Sequence, residues 1–230
     1  MSLQLDTIII TGRTYGEYCA FFNLDTEILK GKKVLDCPGG ASSFTSYAKK
    51  DGIDATATDL VYDLDRAALK TIGERSIGII YKDVSWMAGN SFAFYESTLN
   101  HRRFREKALR EFLKDYNCHD YIKAELPELP FGEKQFDLLL SSHLLFVYDD
   151  RLDLAFHLEA IHEMLRVAKE VRIFPLVDVN NSREGKVRNF SPIVYKVLEA
   201  LENVCKAEIV KVGFEFQRGA GYMLRLADKS

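Results

Sequence analysis

A short buried strand that breaks into a tight, small-residue turn constrains the fold of this chain more than any other feature. The strand is predicted over Lys33–Asp36, and the turn that follows opens a helix. This arrangement brings backbone N–H groups and a helix N-terminus towards a bound ligand. Gly39 and Gly40 have no Cβ, so a ligand can approach the main chain there. Asp36 ends the strand, where open α/β sheets bind ligands; an ordinary strand–turn–helix corner without a ligand remains the alternative.

A second strand, Ile53–Thr58, follows the predicted helix Ala41–Lys50 and leads into Asp59. Asp59 stands nineteen residues after Gly40. That offset matches the roughly 20 residues at which an acidic side chain receives the ribose hydroxyls in βαβ nucleotide sites. Aspartates also end strands because they favour turns. The turn and the acidic residue together predict a nucleotide-type ligand.

The turn lacks the three glycines of the dinucleotide fingerprint, and Pro38 offers no N–H to a pyrophosphate. It resembles instead the first motif of class I S-adenosylmethionine-dependent methyltransferases, D-x-G-x-G-x-G. The chain keeps the acidic residue and the central glycine of that motif but has Pro38 and Ser42 in place of the flanking glycines. The matching stretch is Asp36-Cys37-Pro38-Gly39-Gly40-Ala41-Ser42.

The resemblance continues downstream and covers about residues 33–175, with a gap in the middle. Four segments carry it: Tyr121–Phe131 is similar to the third strand and its acidic Leu-Pro-Phe loop, Phe136–His143 to the fourth strand, Ile161–Val167 to the next helix and Val171–Pro175 to the fifth strand. The chain is thereby identified as a member of the class I methyltransferase superfamily. It is similar, more loosely, to the small uncharacterised bacterial proteins within it.

The fold expected from this resemblance is α/β: a three-layer Rossmann-like arrangement with a mostly parallel seven-stranded sheet and an antiparallel last strand. A helix from Ser191-Pro192 through Asn203 and a hairpin of Glu208–Phe216 with Tyr222–Leu226 complete it. A single domain is expected over residues 1–230, with an N-terminal helical segment at 1–31 and a helical insertion at about 77–118.

The resemblance also implies the cofactor S-adenosyl-L-methionine, the product S-adenosyl-L-homocysteine and an unidentified methyl acceptor. Asp59 is expected at the ribose, Glu125 and Leu126 at the adenine, and Ser141 beside the sulfonium. His143 is the candidate base, with a core or helix-start histidine as the alternative. The expected cofactor-binding residues are Tyr15, Asp36, Cys37, Pro38, Gly39, Gly40, Asp59, Leu60, Glu125, Leu126, Ser141 and Ser142.

An aromatic helix is predicted near the start of the chain. Tyr15, Tyr18, Phe21 and Phe22 share one helical face. This face either packs on the sheet or lets Tyr15 or Tyr18 close over a ligand.

The insertion at about 77–118 contains a predicted helix over Asn90–Leu99 and a clearer one over His101–Tyr116. The apolar face of the second helix carries Phe104, Ala108, Leu109, Phe112, Leu113 and Tyr116. Its basic face carries Arg102, Arg103, Arg105, Lys107, Arg110 and Lys114. We interpret the insertion as a lid over the ligand crevice. The basic face is either a solvated surface or a site for an anionic substrate or RNA.

Composition excludes several classes of protein. A net charge of −3 argues against bulk attraction to nucleic acid or to an anionic membrane, and no apolar run reaches the roughly 18 residues of a membrane span. The four cysteines have no metal-ligand spacing and indicate a reduced, cytoplasmic protein. His157 and His162 lie five residues apart in the predicted helix Asp149–Arg166, so we interpret both as structural and expect no metal.

Three functions remain open on the sequence. The first is a methyltransferase acting on a small molecule, with RNA as the less favoured acceptor. The second is a catalytically silent protein that keeps the nucleotide pocket. The third is a nicotinamide-dependent oxidoreductase, which the missing third glycine disfavours.

Overall fold

The computed structural model describes residues 9–87, 90–177 and 190–229. The helices in these ranges are α1 Tyr15–Phe22, α2 Thr26–Leu29, α3 Phe44–Lys50, α4 Arg66–Lys82, α5 Thr98–Asp115, α6 Leu154–Val167 and α7 Pro192–Leu201. The strands are β1 Lys33–Asp36, β2 Asp54–Asp59, β3 Tyr121–Lys123, β4 Phe136–Ser142, β5 Ala168–Phe174, β6 Lys206–Lys211 and β7 Tyr222–Ala227. The predicted loop Asp178–Val187 lies outside the described residues.

All seven strands form one sheet in the order β3-β2-β1-β4-β5-β7-β6. Strands β1 to β5 pair in parallel, whereas β7 runs antiparallel to both β5 and β6. The predicted α/β class, the seven-stranded sheet and the antiparallel last strand are therefore confirmed. This is the Rossmann-like fold of the class I methyltransferases.

Alternation along the central strands explains why both sheet faces are covered. Leu35 and Leu139 enter one core with α6 and α7, while Val34, Leu138 and Leu140 enter another with α1 and α3. Successive side chains of a strand point to opposite faces, so an apolar run on a central strand requires packing on both sides. The result is three layers, helix–sheet–helix, as predicted.

Helix α1 confirms the predicted aromatic face as a packing face. Tyr18, Phe21 and Phe22 are fully buried, and Phe21 stacks on Phe174 of β5 with ring centroids 4.6 Å apart. Thr14 and Glu17 form a capping box at its start: the Glu17 carboxylate accepts from the Thr14 backbone N–H at 2.7 Å. The aromatic helix therefore belongs to the core of the sheet.

Two predicted helix boundaries in the middle of the chain are wrong. Residues 90–97 form turns, and the helix begins only at Thr98, because Ser97 caps it by accepting from the Asn100 N–H at 3.1 Å. Helix α6 begins at Leu154 rather than at Asp149 because Asp153 accepts from the Phe156 N–H at 2.9 Å. In both cases a short polar side chain fixes the first turn.

Helix α5 confirms the predicted apolar face but changes the basic one. Ala108, Leu109 and Phe112 are buried, and Phe112 packs against Tyr62 and Tyr121. Arg105, expected on the basic face, is only 1% exposed. The other five cations are exposed: Arg102, Arg103, Lys107, Arg110 and Lys114. The role of residues 77–118 as a lid, and the single-domain organisation, stay predictions.

Within the described ranges, no helix combines the length and apolar character needed to cross a bilayer.

Candidate functional site

The order of the strands predicts where a ligand site lies. From β1 the chain builds the sheet towards β3 on one side, and from β4 it builds towards the other side, so the order reverses between β1 and β4. At such a switch point the loops after the two strands diverge and leave a crevice at their carboxyl ends. A cavity of about 840 Å³ lies there. The turn after β1, the end of β2 and the end of β4 all line it. We call it the main cavity; its volume lies in the range of about 300–1,000 Å³ typical of small-molecule sites.

The glycine turn presents its main chain to the main cavity. Gly40 has a φ of 53°, a left-handed conformation that glycine adopts at little cost. A Cβ built on Gly40 would meet no atom closer than 3.9 Å, so its backbone is open. Gly39 is packed instead: a Cβ there would lie 2.5 Å from the Tyr62 hydroxyl. Tyr62 donates to the Gly40 carbonyl at 2.7 Å and fixes the turn.

The N–H groups of Ser43 and Phe44, at the start of α3, are engaged within the chain. The helix starts at Phe44, three residues later than expected, and the Phe44 N–H donates to Ser42 Oγ at 3.0 Å. The Ser43 N–H donates to the Arg13 carbonyl at 3.0 Å. Ser42 of the turn and the segment before α1 therefore each occupy one of these two donors.

Asp59 and Gly40 lie together on the wall of the main cavity. Asp59 Oδ2 accepts from the Gly40 N–H at 2.9 Å, and Oδ1 accepts from the Val61 N–H at 3.2 Å. A carboxylate has about four acceptor sites, so each oxygen keeps capacity for a further donor. Burial raises the pKa of the Asp59 carboxyl, while these backbone N–H groups act in the opposite direction.

Asp36 is buried beneath the turn. It is 1% exposed, and Oδ1 accepts from the Tyr18 hydroxyl at 2.8 Å. Oδ2 has no hydrogen-bond partner among the described residues. Burial raises the pKa of this carboxyl well above its ordinary value. Tyr18, rather than Tyr15, is the aromatic residue of α1 that lines the main cavity.

The end of β4 forms the opposite wall. Ser142 and His143 line the main cavity, and Ser142 Oγ lies 2.7 Å from His143 Nδ1. His143 has a φ of 58°, which costs on the order of 1–3 kcal/mol outside glycine and clusters at functional sites. Burial lowers the pKa of this imidazole well below its ordinary value, and the charges of Arg13 and Arg105 add to the effect. The side chain of Ser141 is fully buried, without a partner for its hydroxyl in the described ranges.

The remaining residues expected at the cofactor do not line the main cavity. Tyr15 donates to Asp51 at 2.7 Å on the far side of α1. Cys37 and Leu126 pack in the core with α6, and Glu125 is exposed. Leu60 is half-buried, next to Asp59. Among the predicted residues, the main cavity brings together Pro38, Gly39, Gly40, Asp59, Ser142 and His143.

A second, small cavity of about 80 Å³ adjoins this wall, and sequence reasoning missed it. Arg13 and His143 line both cavities, and Arg105 and Tyr95 line the small one. Arg105 pairs with the fully buried Glu17. The Thr-x-x-Glu spacing at Thr14 marks a helix start, but no sequence signal places Glu17 beside Arg105, 88 residues away.

A comparison with curated proteins gives one close relative. The chain is 30% identical over 226 residues to the uncharacterised protein MJ0045 of Methanocaldococcus jannaschii, covering 96% of this chain and 97% of that protein. The chain belongs to the family of MJ0045. Identity of this extent along nearly the whole length means that the two proteins share the fold described above. No family model matches the sequence.

Solved structures with similar folds include two methyltransferases. A SAM-dependent methyltransferase from Aquifex aeolicus is 17% identical, with 91% of this chain and 90% of that chain covered and a TM-score of 0.41. The N-methyltransferase NodS from Bradyrhizobium japonicum is 16% identical, with 94% of each chain covered and a TM-score of 0.47. The methyltransferase fold of the present chain rests on its own strand order.

Proposed function

We propose that this member of the MJ0045 family is an S-adenosyl-L-methionine-dependent methyltransferase acting on a small molecule. The observation that carries the proposal is the contact between Gly40 and Asp59 at the carboxyl edge of the sheet, with the main cavity in front of both. This pairing fits an adenosyl compound. A carboxylate accepts hydrogen bonds from the vicinal hydroxyls of the ribose, and an open glycine turn leaves room for the methionine part of the ligand.

The residues present fit the cofactor at two points. Asp59 keeps acceptor capacity towards the main cavity, which suits the ribose hydroxyls. Gly40 leaves its main chain open, which suits the methionine part. Glu125 and Leu126, expected at the adenine, do not line the main cavity, so the proposal gives them no contact with the cofactor.

The bound cofactor would supply an electrophilic methyl group, whose carbon bonds to the acceptor as the carbon–sulfur bond breaks and its electron pair stays on sulfur, leaving S-adenosyl-L-homocysteine. The chain's part is to hold two reactants in line and to exclude water, which needs no metal. Phe174 and Pro175, at the end of β5, form an apolar part of the wall of the small cavity beside His143.

His143 is the proposed base for an acceptor that carries a proton. Ser142 engages Nδ1, and Nε2 has no hydrogen-bond partner among the described residues. The lowered pKa of His143 keeps the imidazole neutral and able to accept a proton, but makes it a weak base. The same observation favours a second candidate function, a silent protein that binds the cofactor without transferring its methyl group.

An RNA acceptor has less support. Of the exposed cations on α5, Arg102 pairs with Glu106 at 2.8 Å, Lys114 with Glu111 at 3.2 Å, and Arg110 lies 3.6 Å from Glu111. Two acids of the same helix, Glu106 and Glu111, thus pair with three of the five exposed cations and compensate the basic face in part.

A transfer assay with S-adenosyl-L-methionine labelled in the methyl group decides between these functions. We expect label to pass to a pool of small metabolites and not to total RNA, and the His143→Ala variant to slow transfer by about 10²–10⁴-fold if the acceptor carries a proton. Binding of the cofactor without any transfer to either pool would favour the silent protein.

A further inference from the structure

Two arginines, Arg13 and Arg105, line the small cavity beside His143, and one acid, Glu17, lies behind its wall. Arg105 pairs with Glu17, and both side chains are buried, at 1% and 0% exposure. Arg13 has no carboxylate partner in the described part of the chain: its Nη1 donates to the Thr11 carbonyl at 3.2 Å and to the Thr11 hydroxyl at 3.0 Å. These acceptors are neutral. The cluster therefore keeps one uncompensated positive charge.

The other titratable groups of the small cavity do not remove this charge. Burial lowers the pKa of His101 to about 3 and that of His143 well below its ordinary value, so both imidazoles are neutral at pH 7. Burial also raises the pKa of the Tyr95 phenol, which stays protonated. Arginine itself keeps its proton in proteins. Arg13 is partly buried, and a cation withdrawn from water is costly unless a counter-ion joins it.

Arg105 also has donors to spare. Its Nη2 contacts Glu17 and lies 3.3 Å from the Tyr95 hydroxyl, but Nε and Nη1 are buried without any hydrogen-bond partner among the described residues. Both Arg13 and Arg105 line the small cavity. Unpaired buried donors destabilise a protein, and charged donors do so more than neutral ones. The small cavity is therefore suited to an acceptor group that the described residues do not provide.

We infer that the methyl acceptor is a small organic anion whose carboxylate-type group binds in the small cavity between Arg13 and Arg105. This inference rests on the proposed function and names its substrate class. The volume of about 80 Å³ holds a carboxylate but not a whole aromatic ring, since a cavity that binds benzene measures about 150 Å³. The body of the acceptor then extends past His143 into the main cavity, because Arg13 and His143 line both cavities.

Calorimetry on protein saturated with S-adenosyl-L-homocysteine tests this inference. Benzoate and benzamide are the probes, because they share size and shape and differ in charge. We expect benzoate to bind at least tenfold more tightly than benzamide. Equal affinities would overturn the inference.

The double variant Glu17→Gln/Arg105→Met removes the Arg105 donors together with the acid that pairs with them, so no uncompensated charge remains in their place. We expect it to weaken benzoate at least tenfold and to leave the affinity for S-adenosyl-L-homocysteine within twofold. Lys107→Met, an exposed change on the same helix, is the control and should alter neither. If the double variant does not fold, Arg13→Met is used, and unchanged benzoate affinity in either folded variant would overturn the inference.

A carboxylate group also occurs on the cofactor itself, and 5′-methylthioadenosine, which lacks it, separates the two sources. If the double variant weakened S-adenosyl-L-homocysteine but not 5′-methylthioadenosine, the small cavity would hold the cofactor's carboxylate and the inference would be wrong. Failure of the wild-type protein to bind S-adenosyl-L-homocysteine would refute the proposed function, whereas loss of the preference for benzoate would refute the inference alone.

Discussion

Asp59 Oδ2 accepts a hydrogen bond from the Gly40 N–H at 2.9 Å across 19 residues of sequence. The contact joins the turn after β1 to the end of β2, and the Gly39 N–H reinforces it by donating to the Thr58 carbonyl at 2.8 Å. The Gly40 and Val61 N–H groups thus hold the carboxylate of Asp59 at the cavity wall before any ligand binds. Because the acceptor is already ordered, ligand binding carries little further entropic cost for this side chain.

Replacing Asp59 tests its role at the ribose. We expect Asp59→Ala to weaken S-adenosyl-L-homocysteine by about 1–3 kcal/mol, the cost of losing hydrogen bonds to a charged acceptor. Titration calorimetry measures the change. Asp54→Ala is the matched control, because Asp54 is an exposed aspartate at the opposite end of the same strand. Equal affinities in the two variants would remove Asp59 from the site.

Gly12, in the segment that carries Arg13, lies so close to Ala41 that no larger residue fits in its place. A Cβ on Gly12 would lie 2.0 Å from the Ala41 carbonyl oxygen, whereas one on Gly16 would meet nothing within 4 Å. We expect Gly12→Ala to destabilise the protein by about 1–3 kcal/mol, as overpacking does. That corresponds to roughly 2–4 °C in melting temperature per kcal/mol for a chain of this size. Gly16→Ala should melt at or above the wild-type temperature; identical melting of both variants would speak against the packing described.

Because Arg105 and Glu17 form a buried ion pair, replacing one of them should lower the free energy of unfolding more than replacing both. Arg105→Met leaves the Glu17 carboxylate buried and unpaired, which costs about 3–5 kcal/mol of unfolding free energy. Adding Glu17→Gln should restore much of that loss, as measured by denaturant unfolding. Arg102→Met, in the exposed pair with Glu106 on the same helix, should cost about 0–1 kcal/mol. A double variant no more stable than Arg105→Met alone would contradict the pairing.

His101 predicts a component of stability that is lost in acid. Burial lowers its pKa to about 3, against about 6.5 in an unfolded chain, so between these values only the unfolded state binds the proton. The free energy of unfolding therefore falls as the pH falls below about 6.5. At pH 5 the part of this loss that is due to His101 is about 2 kcal/mol. We expect His101→Phe to lose less stability than the wild type between pH 7 and pH 5 in denaturant titrations. Parallel pH curves would show that His101 is not held neutral.

Local signals in the sequence were sufficient for much of the fold. Strand β1 has the predicted bounds, and Ser191 caps α7 with Pro192 at its first position, because capping and turn chemistry act over a few residues. The predicted helix over Asn90–Leu99 was wrong because the Ser91 N–H donates to the Phe216 carbonyl, a contact far away in sequence. Tertiary contacts of this kind override local preference.

In the candidate site, too, local signals could be predicted from the sequence and tertiary contacts could not. The glycine turn and Asp59 could be predicted because their spacing reflects one βαβ unit. The sequence places Arg105 on the basic face of the helix, since a helix rich in arginine and lysine normally exposes them. Its burial depends on Glu17, which lies on another helix. Arg13 carries no sequence signal beyond its position before α1, and only the cavity walls reveal it.

The central claim is that the main cavity binds an adenosyl cofactor through the Gly40 turn and Asp59. Titration of the wild-type protein with S-adenosyl-L-homocysteine and, separately, with NAD⁺ tests it most directly. We predict saturable binding of S-adenosyl-L-homocysteine at one site per chain and no binding of NAD⁺, whose pyrophosphate would face Pro38, a residue without an N–H. Binding of NAD⁺ alone, or of neither compound, would contradict the claim.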